Sequence, residues 1–272
     1  MIYALDSVTK VYRQGRAETR ALNALSLRVA PGEHVALLGR SGAGKSTLFR
    51  LLNATVRPTA GTVVFDGRDV STMSGAEIRA MRRRIGTVYQ QHNLVPTLSA
   101  LDNTLSGALG RWSLTHTLRG MVRPFKDDLA QALRALESVG LADKRHARVA
   151  DLSGGQQQRV AIARVLMQDP QVILADEAVA SLDPGLAADI IGLLTRIATE
   201  GGRTLLASLH LVDLALEHFP RIVAVRDGAI EFDVASSEVH DDLLTKLYAN
   251  TSLPAVQEPH ERSDGPLLNC VR

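Results

Sequence analysis

A single cysteine, Cys270, stands in the whole chain, so no internal disulfide can form and the composition suits a reducing compartment. No apolar run approaches the ~18–20 residues that a membrane-spanning helix needs. The first residues, Met1-Ile2-Tyr3-Ala4-Leu5-Asp6, lack the basic start and apolar stretch of a signal peptide. A soluble chain is expected, and any membrane role must come through a partner. Charge of one sign is not in excess either. Lys and Arg number 31 against 29 Asp and Glu, for a net charge of +2, and their scatter leaves no nucleic-acid footprint. The one dense basic run, Arg79 with Arg82-Arg83-Arg84, reads as a solvated helix end, with a contact to nucleic acid or lipid headgroups as the alternative.

What is present is a chain of 272 residues, 45% hydrophobic, able to bury a substantial core. Residues 2–12 and 22–30 alternate apolar and polar as strands do. After the turn Pro31-Gly32-Glu33, His34–Leu38 reads as a buried strand, and Lys45 to about Ala54 as a helix. Gly61–Gly67 is a strand and turn, and Ile85–Tyr89 is strand-like. From about Asn93 to Gln168 the pattern turns helical, most clearly over Asp127–Val139 and Gln157–Met167. Gln171–Ala175 returns to a buried strand, Leu186–Ala198 to a helix, Thr204–Ser208 to a strand, and Arg221–Asp233 to a hairpin. Strands and helices alternating in this way predict an α/β core around a parallel sheet. Beyond about Tyr248, with Pro254, Pro259 and Pro266, a poorly packed tail is expected.

Between the first buried strand and its helix lies Gly39-Arg40-Ser41-Gly42-Ala43-Gly44-Lys45-Ser46-Thr47, a complete phosphate-binding P-loop. Its glycines let backbone N–H groups face phosphate oxygens, and the helix adds its positive end. Lys45 is expected to neutralise the β- and γ-phosphates of a nucleoside triphosphate, and Ser46 to ligate Mg²⁺ with Thr47 in support. A second apolar strand ends in Asp176-Glu177: Asp176 would hold Mg²⁺ and Glu177 would polarise the attacking water. A third string, Leu152-Ser153-Gly154-Gly155-Gln156, opens a helix with a capping serine and exposed donors, an anion site without a lysine. One domain cannot aim both anion sites at one γ-phosphate. A head-to-tail homodimer can.

On these strings the chain resembles the ATPase subunits of ATP-binding-cassette (ABC) transporters, over nearly its full length to about residue 248. The resemblance implies a P-loop NTPase core with a parallel sheet, an N-terminal antiparallel β subdomain and a helical subdomain inserted over about 93–168. It also implies that Tyr12 stacks on adenine and that Gln90 touches Mg²⁺ and links the helical lobe to the core. By the same likeness Asp183, in Ser181-Leu182-Asp183, belongs to a loop that crosses the dimer interface, and His210 reaches the γ-phosphate. One position departs: the family usually has proline directly after the catalytic glutamate, and here it is Ala178. Proline would stiffen the loop holding Glu177. Alanine leaves it freer, which predicts altered turnover rather than inactivity.

The text from Asn93 to Arg111 and from Ala175 to Pro184 is similar to the phosphonate-import ATPases. That likeness implies an importer of phosphonate or a related phosphorus oxyanion. Its partners would be two integral-membrane permease subunits and, indirectly, a periplasmic or extracellular phosphonate-binding protein, with the dimer peripheral to the cytoplasmic face of the cell membrane. The alternatives are an importer or exporter of another cargo, or a non-transport ABC ATPase. The last usually has a long coiled coil or two cassettes in one chain, and neither is present.

Overall fold

The structure, a computed structural model, describes residues 1–15, 17–122 and 124–248; the expected tail beyond Tyr248, with Cys270, lies outside the described residues. The chain opens with strands β1 (Tyr3–Gln14), β2 (Ala17–Val29) and β3 (His34–Leu38), then helix α1 (Lys45–Leu52). There follow β4 (Ala60–Phe65), β5 (Arg68–Asp69), α2 (Gly75–Arg83) and β6 (Ile85–Tyr89). Four helices come next: α3 (Ala100–Leu105), α4 (Leu114–Val122), α5 (Lys126–Ser138) and α6 (Gly154–Gln168). The chain then runs through β7 (Val172–Asp176), α7 (Pro184–Glu200), β8 (Thr204–Ser208) and α8 (Val212–His218), and ends in β9 (Arg221–Arg226), β10 (Ala229–Ala235) and α9 (Asp241–Tyr248).

Two sheets result. The first is antiparallel, in the order β2-β1-β4-β5; the second runs β10-β9-β3-β8-β7-β6. Within the second, β9, β3, β8, β7 and β6 are mutually parallel, and the antiparallel β10 closes one edge. This is the expected α/β architecture with an N-terminal antiparallel unit.

The parallel strands read as continuous apolar runs because both of their faces are covered. Their alternate residues go to different cores. Ala36, Leu38, Ile173, Ala175, Leu205, Ala207, Ile222 and Ala224 join one cluster with the inner faces of α3, α5, α6 and α7. Val35, Leu37, Val172, Leu174, Leu206 and Val223 join the other, with α1 and the antiparallel sheet. The second sheet is therefore a wall between two hydrophobic cores, and a one-residue slip in any strand would exchange them.

Helix boundaries follow capping rather than apolar periodicity. α6 begins three residues before the start that its apolar spacing predicts, because Ser153 and Gln156 form a reciprocal capping box. α7 likewise starts at Pro184, with the Asp183 carboxylate accepting the Leu186 N–H and proline at the first turn. α8 and α9 are additions to the sequence reading; α4 lies within the stretch 93–168 that reads as helical, and α2 ends at the basic run that reads as a helix end. α2 buries only Met81, so it carries too little apolar pattern to be seen by its spacing.

Two arginines of the basic run at the end of α2 fasten other elements. Arg82 donates to the carbonyls of Asn53 and Ala54 just past α1, at 3.2 and 2.7 Å. Arg84 pairs with Asp66 at 2.6 Å, bonds Gln171, and lies over the Phe65 ring. No helix among the described residues is long and apolar enough to cross a membrane.

One side chain ties the two sheets together. Arg221 on β9 grips Asp233 of β10 at 2.7 and 2.6 Å, Glu33 at 2.7 Å and the Arg28 carbonyl of β2 at 2.9 Å. These carboxylates raise the pKa of the guanidinium above its already high value. Arg221→Met keeps the stem and removes the fork. It should destabilise the fold by about 1–3 kcal/mol, since half-buried Asp233 and Glu33 lose their partner; at roughly 2–4 °C per kcal/mol this is visible as a lower thermal midpoint of the nucleotide-free protein.

Candidate active site

The parallel register brings four strand ends into one line. Tyr89 of β6 lies opposite Asp176 of β7, Asp176 opposite Ser208 of β8, and Ser208 opposite Leu37 of β3. The segments that follow these positions carry Gln90, Glu177, His210 and the P-loop. In open parallel sheets ligands bind at this carboxyl edge, where loops leave the strands and helices begin.

The P-loop leaves β3 and wraps back to start α1. Gly44 adopts φ +107, which side chains rarely tolerate, and a Cβ there would sit 2.5 Å from the Ala21 carbonyl oxygen of β2. The bond from the Gly228 N–H to the Ala43 carbonyl fastens the loop to the β9–β10 turn. Lys45 is buried, and its ammonium donates to the carbonyls of Gly39 at 2.6 Å and Arg40 at 3.0 Å. Burial pushes its pKa down, and the carboxylates of Glu177 and Asp176 push back. Arg40, Ser41, Gly42 and Ala43 line a cavity of about 370 Å³ with Val225, Arg226 and Asp227.

A second cavity, of about 290 Å³, is lined by Ser46, Arg50, Tyr89, Gln90, Asp176 and Glu177, among others. Ser46 Oγ donates to Asp176 Oδ1 at 3.3 Å, and Ser208 Oγ donates to the same oxygen at 3.1 Å. Burial raises the pKa of Asp176, these two hydroxyls lower it, Glu177 raises it again and Arg50 lowers it.

Glu177 has a left-handed backbone, φ +50, a conformation of roughly 1–3 kcal/mol for a residue with a side chain. Its N–H donates to Ser208 Oγ at 2.8 Å, and its Oε1 lies 2.9 Å from His210 Nε2. The following residue, Ala178, is buried, and its carbonyl accepts from Gln158 of α6 at 2.7 Å. The loop is thus anchored from two sides without the ring of a proline.

The remaining residues singled out from the sequence stand further out. Tyr12 on β1 pairs with Thr19 and is half-buried, with the Lys10 ammonium 5.2 Å from its ring centre. Ser153, Gly154, Gly155 and Gln156 form the first turn of α6; a Cβ on Gly155 would run into Leu186 of α7, so that turn packs directly on its neighbour. Asp183 caps α7. None of residues 153–156 lines the P-loop cavity or the Ser46–Glu177 cavity. The structure brings Lys45, Ser46, Thr47, Gln90, Asp176, Glu177 and His210 to one sheet edge and leaves the α6 start outside it.

Two contributors escape the sequence reading. Arg50 lines the cavity one helical turn beyond Ser46. Ser208 is almost fully buried and joins Asp176 to the Glu177 backbone. Its only sequence signal is a hydroxyl closing the apolar strand Thr204-Leu205-Leu206-Ala207.

The oxygens of Ser46, Gln90 and Asp176 form a hard donor set with one carboxylate, which fits Mg²⁺ bound largely through water and phosphate. No group of three or more His, Cys, Asp or Glu able to hold a metal occurs among the described residues.

A family model described as ABC transporter matches residues 22–180. The chain is 47% identical over 255 residues to the phosphonates import ATP-binding protein PhnC 2 of Pseudomonas aeruginosa (strain UCBPP-PA14), covering 94% of each. It is 46% identical over 252 residues to the phosphonates import ATP-binding protein PhnC of Frankia casuarinae, covering 92% of this chain and 97% of the relative. Among solved structures it matches the dimeric post-hydrolysis state of the ATP-binding cassette MJ0796 bound to ADP and Pi. The TM-score is 0.71 at 33% identity, over 86% of this chain and 98% of the other.

Ser208→Ala removes the hydroxyl that accepts from the Glu177 N–H and donates to Asp176. The expected result is a loss of about 1–3 kcal/mol of stability from the stranded buried groups. It should appear as a lower denaturation midpoint of the nucleotide-free protein, together with slower turnover.

Proposed function

The chain belongs to the ABC transporter family, and from that premise we propose that it is the ATP-hydrolysing subunit of an importer that takes up phosphonates or a related phosphorus oxyanion. The observation that carries the reading is the cavity at the sheet edge where Ser46, Gln90, Asp176 and Glu177 meet beside the P-loop. The cargo class comes from the likeness to the phosphonate import relatives, since the transported molecule never enters this subunit.

Residues 1–248 act in this reading as one nucleotide-binding domain, with about 93–168 as its helical subdomain and 249–272 as a tail. Backbone N–H groups of Gly39–Thr47 and the Lys45 ammonium hold the β- and γ-phosphates, which draws Lys45 from the Gly39 and Arg40 carbonyls towards the nucleotide. Tyr12 stacks on the adenine. Ser46, Asp176 and Gln90 hold Mg²⁺, which when bound offsets charge on the phosphate oxygens. Glu177 orients the attacking water and accepts its proton, and His210, 2.9 Å from Oε1, steadies that carboxylate and reaches the γ-phosphate.

Ser153, Gly154, Gly155 and Gln156 close over the nucleotide of a second copy, with Asp183 at the dimer interface. Their position outside the cavity of their own chain supports this division of labour. A cleft of about 440 Å³, lined by Asn53, Arg82, Tyr89, Ser106, Gly107 and Arg164, lies beside the segment that carries Gln90 and suits a permease segment. The dimer would then be peripheral to the cytoplasmic face of the membrane, and ATP-driven closure would be passed to the permease through the helical lobe.

Glu177→Gln should keep ATP affinity within about threefold while lowering turnover by roughly 10²–10⁴-fold, the worth of a positioned base. ATP-bound dimers should then accumulate on size exclusion; wild-type turnover in this variant would remove Glu177 from its role. Uptake of radiolabelled phosphonate by the complex reconstituted with its permease and binding protein tests the cargo. The expected outcome is ATP-dependent uptake that stops with Glu177→Gln. An ATPase in that complex that ignores phosphonate and moves another solute would refute the cargo class.

A further inference from the structure

Gln158 lies in the second turn of α6, fully buried, and the site described above does not use it. Its Nε2 donates to the Ala178 carbonyl at 2.7 Å, across twenty residues of chain. Its Oε1 is buried with no hydrogen-bond partner. Turning the amide over would face two acceptors, so the donor orientation is the one the site demands. An apolar side chain of the same shape would spare the unpaired Oε1 but leave the buried Ala178 carbonyl without its donor. Packing alone therefore does not account for a glutamine at this position.

The neighbouring residue completes the arrangement. Gln157 Nε2 donates to the carbonyls of Val149 and Leu152, pinning the segment that leads into Ser153. Ser153 and Gln156 cap the same turn. One helix start therefore holds two loops: residues 149–153 through Gln157, and residues 177–178 through Gln158. The second loop is held on its other side by Ser208, through the Glu177 N–H, and closed by the Ala180 N–H on the Glu177 carbonyl. Glu177 therefore sits between anchors on β8 and α6, and a displacement of α6 reaches it through one hydrogen bond.

We propose that Gln158 is a positioning residue that sets the catalytic Glu177 according to the seating of the α6 start of the same chain. The inference rests on the roles proposed above for Glu177 and residues 153–156. When Ser153–Gln156 of one copy closes on its partner's nucleotide, the pull on α6 is passed by Gln158 to that copy's own Glu177. Occupancy of one ATP site then prepares the other, a coupling between two sites carried by a discrete contact.

The test uses the full chain with Gln158→Met, which keeps volume and removes the donor. Turnover should fall at least tenfold, with the KM for ATP unchanged within twofold and the thermal midpoint lowered by only a few degrees, the effect of the stranded Ala178 carbonyl. The Hill coefficient for ATP in turnover should drop from about 2 towards 1. Where Gln158→Met yields no folded protein, Gln158→Leu, which also fills the site without a donor, is read in the same assays with the same expectation. Wild-type kcat and Hill coefficient would overturn the proposal. A loss of kcat matched by an equal loss of folded protein would overturn it too, because a structural role predicts that pairing. Glu177→Gln separates this inference from the reading beneath it. An inactive Glu177→Gln beside a normal Gln158→Met removes only the coupling, whereas an active Glu177→Gln removes the role of Glu177.

Discussion

The in-register pairing of β6, β7, β8 and β3 at their carboxyl ends is the constraint on which the chemistry of this protein depends. Tyr89, Asp176, Ser208 and Leu37 are held in one row by backbone hydrogen bonds. Asp176 lies in that row, Gln90, Glu177 and His210 sit a residue or two beyond it, and the P-loop leaves β3 just past it. The row stays in place because alternate residues of the strands are committed to two different cores. A shift of one residue in β7 would turn Ile173 and Ala175 towards the wrong core and carry Asp176 away from Ser46 and Ser208. Hydrophobic sorting thus sets a polar site to within a hydrogen bond.

Inside that frame the tension is electrostatic. Asp176, Glu177 and Lys45 are brought together with limited access to water, and burial opposes the charged forms of both Asp176 and Lys45. The arrangement holds because each charge has local partners. Two hydroxyls serve Asp176, two carbonyls serve Lys45, and His210 serves Glu177. Such a site is poised for a polyanion with a hard cation, whose charges complement those already present.

The loop after β7 shows how a departure from the family pattern is accommodated. Without a proline at 178 the loop is closed by the Ala180 N–H on the Glu177 carbonyl, and its left-handed turn at Glu177 is also held from outside. Ser208 and Gln158 supply that restraint from opposite sides. In the coupling proposed above the source of restraint matters, because a loop held by α6 would move with α6, whereas a loop stiffened by a ring would not.

Local features were legible in the sequence. The P-loop, the Asp176-Glu177 strand end and the Ser153 cap are contiguous strings whose backbone behaviour is set by glycine freedom, strand burial and helix capping. The buried strands announced themselves as apolar runs, and α5 and α7 by their spacing. Short helices did so weakly: α2 shows only as a basic helix end and α8 not at all, because each buries too few residues to show a period. What only tertiary structure decided are contacts between distant residues: Ser208 bridging Asp176 and Glu177, Gln158 holding Ala178, Arg221 joining β9 to β10 and β2, and two arginines of a run that looked solvated fastening the ends of other elements. None of these has a local signature, because a serine, a glutamine or an arginine can bond many groups. The partner is selected by which strands lie side by side, and that selection is made by apolar burial across the whole chain.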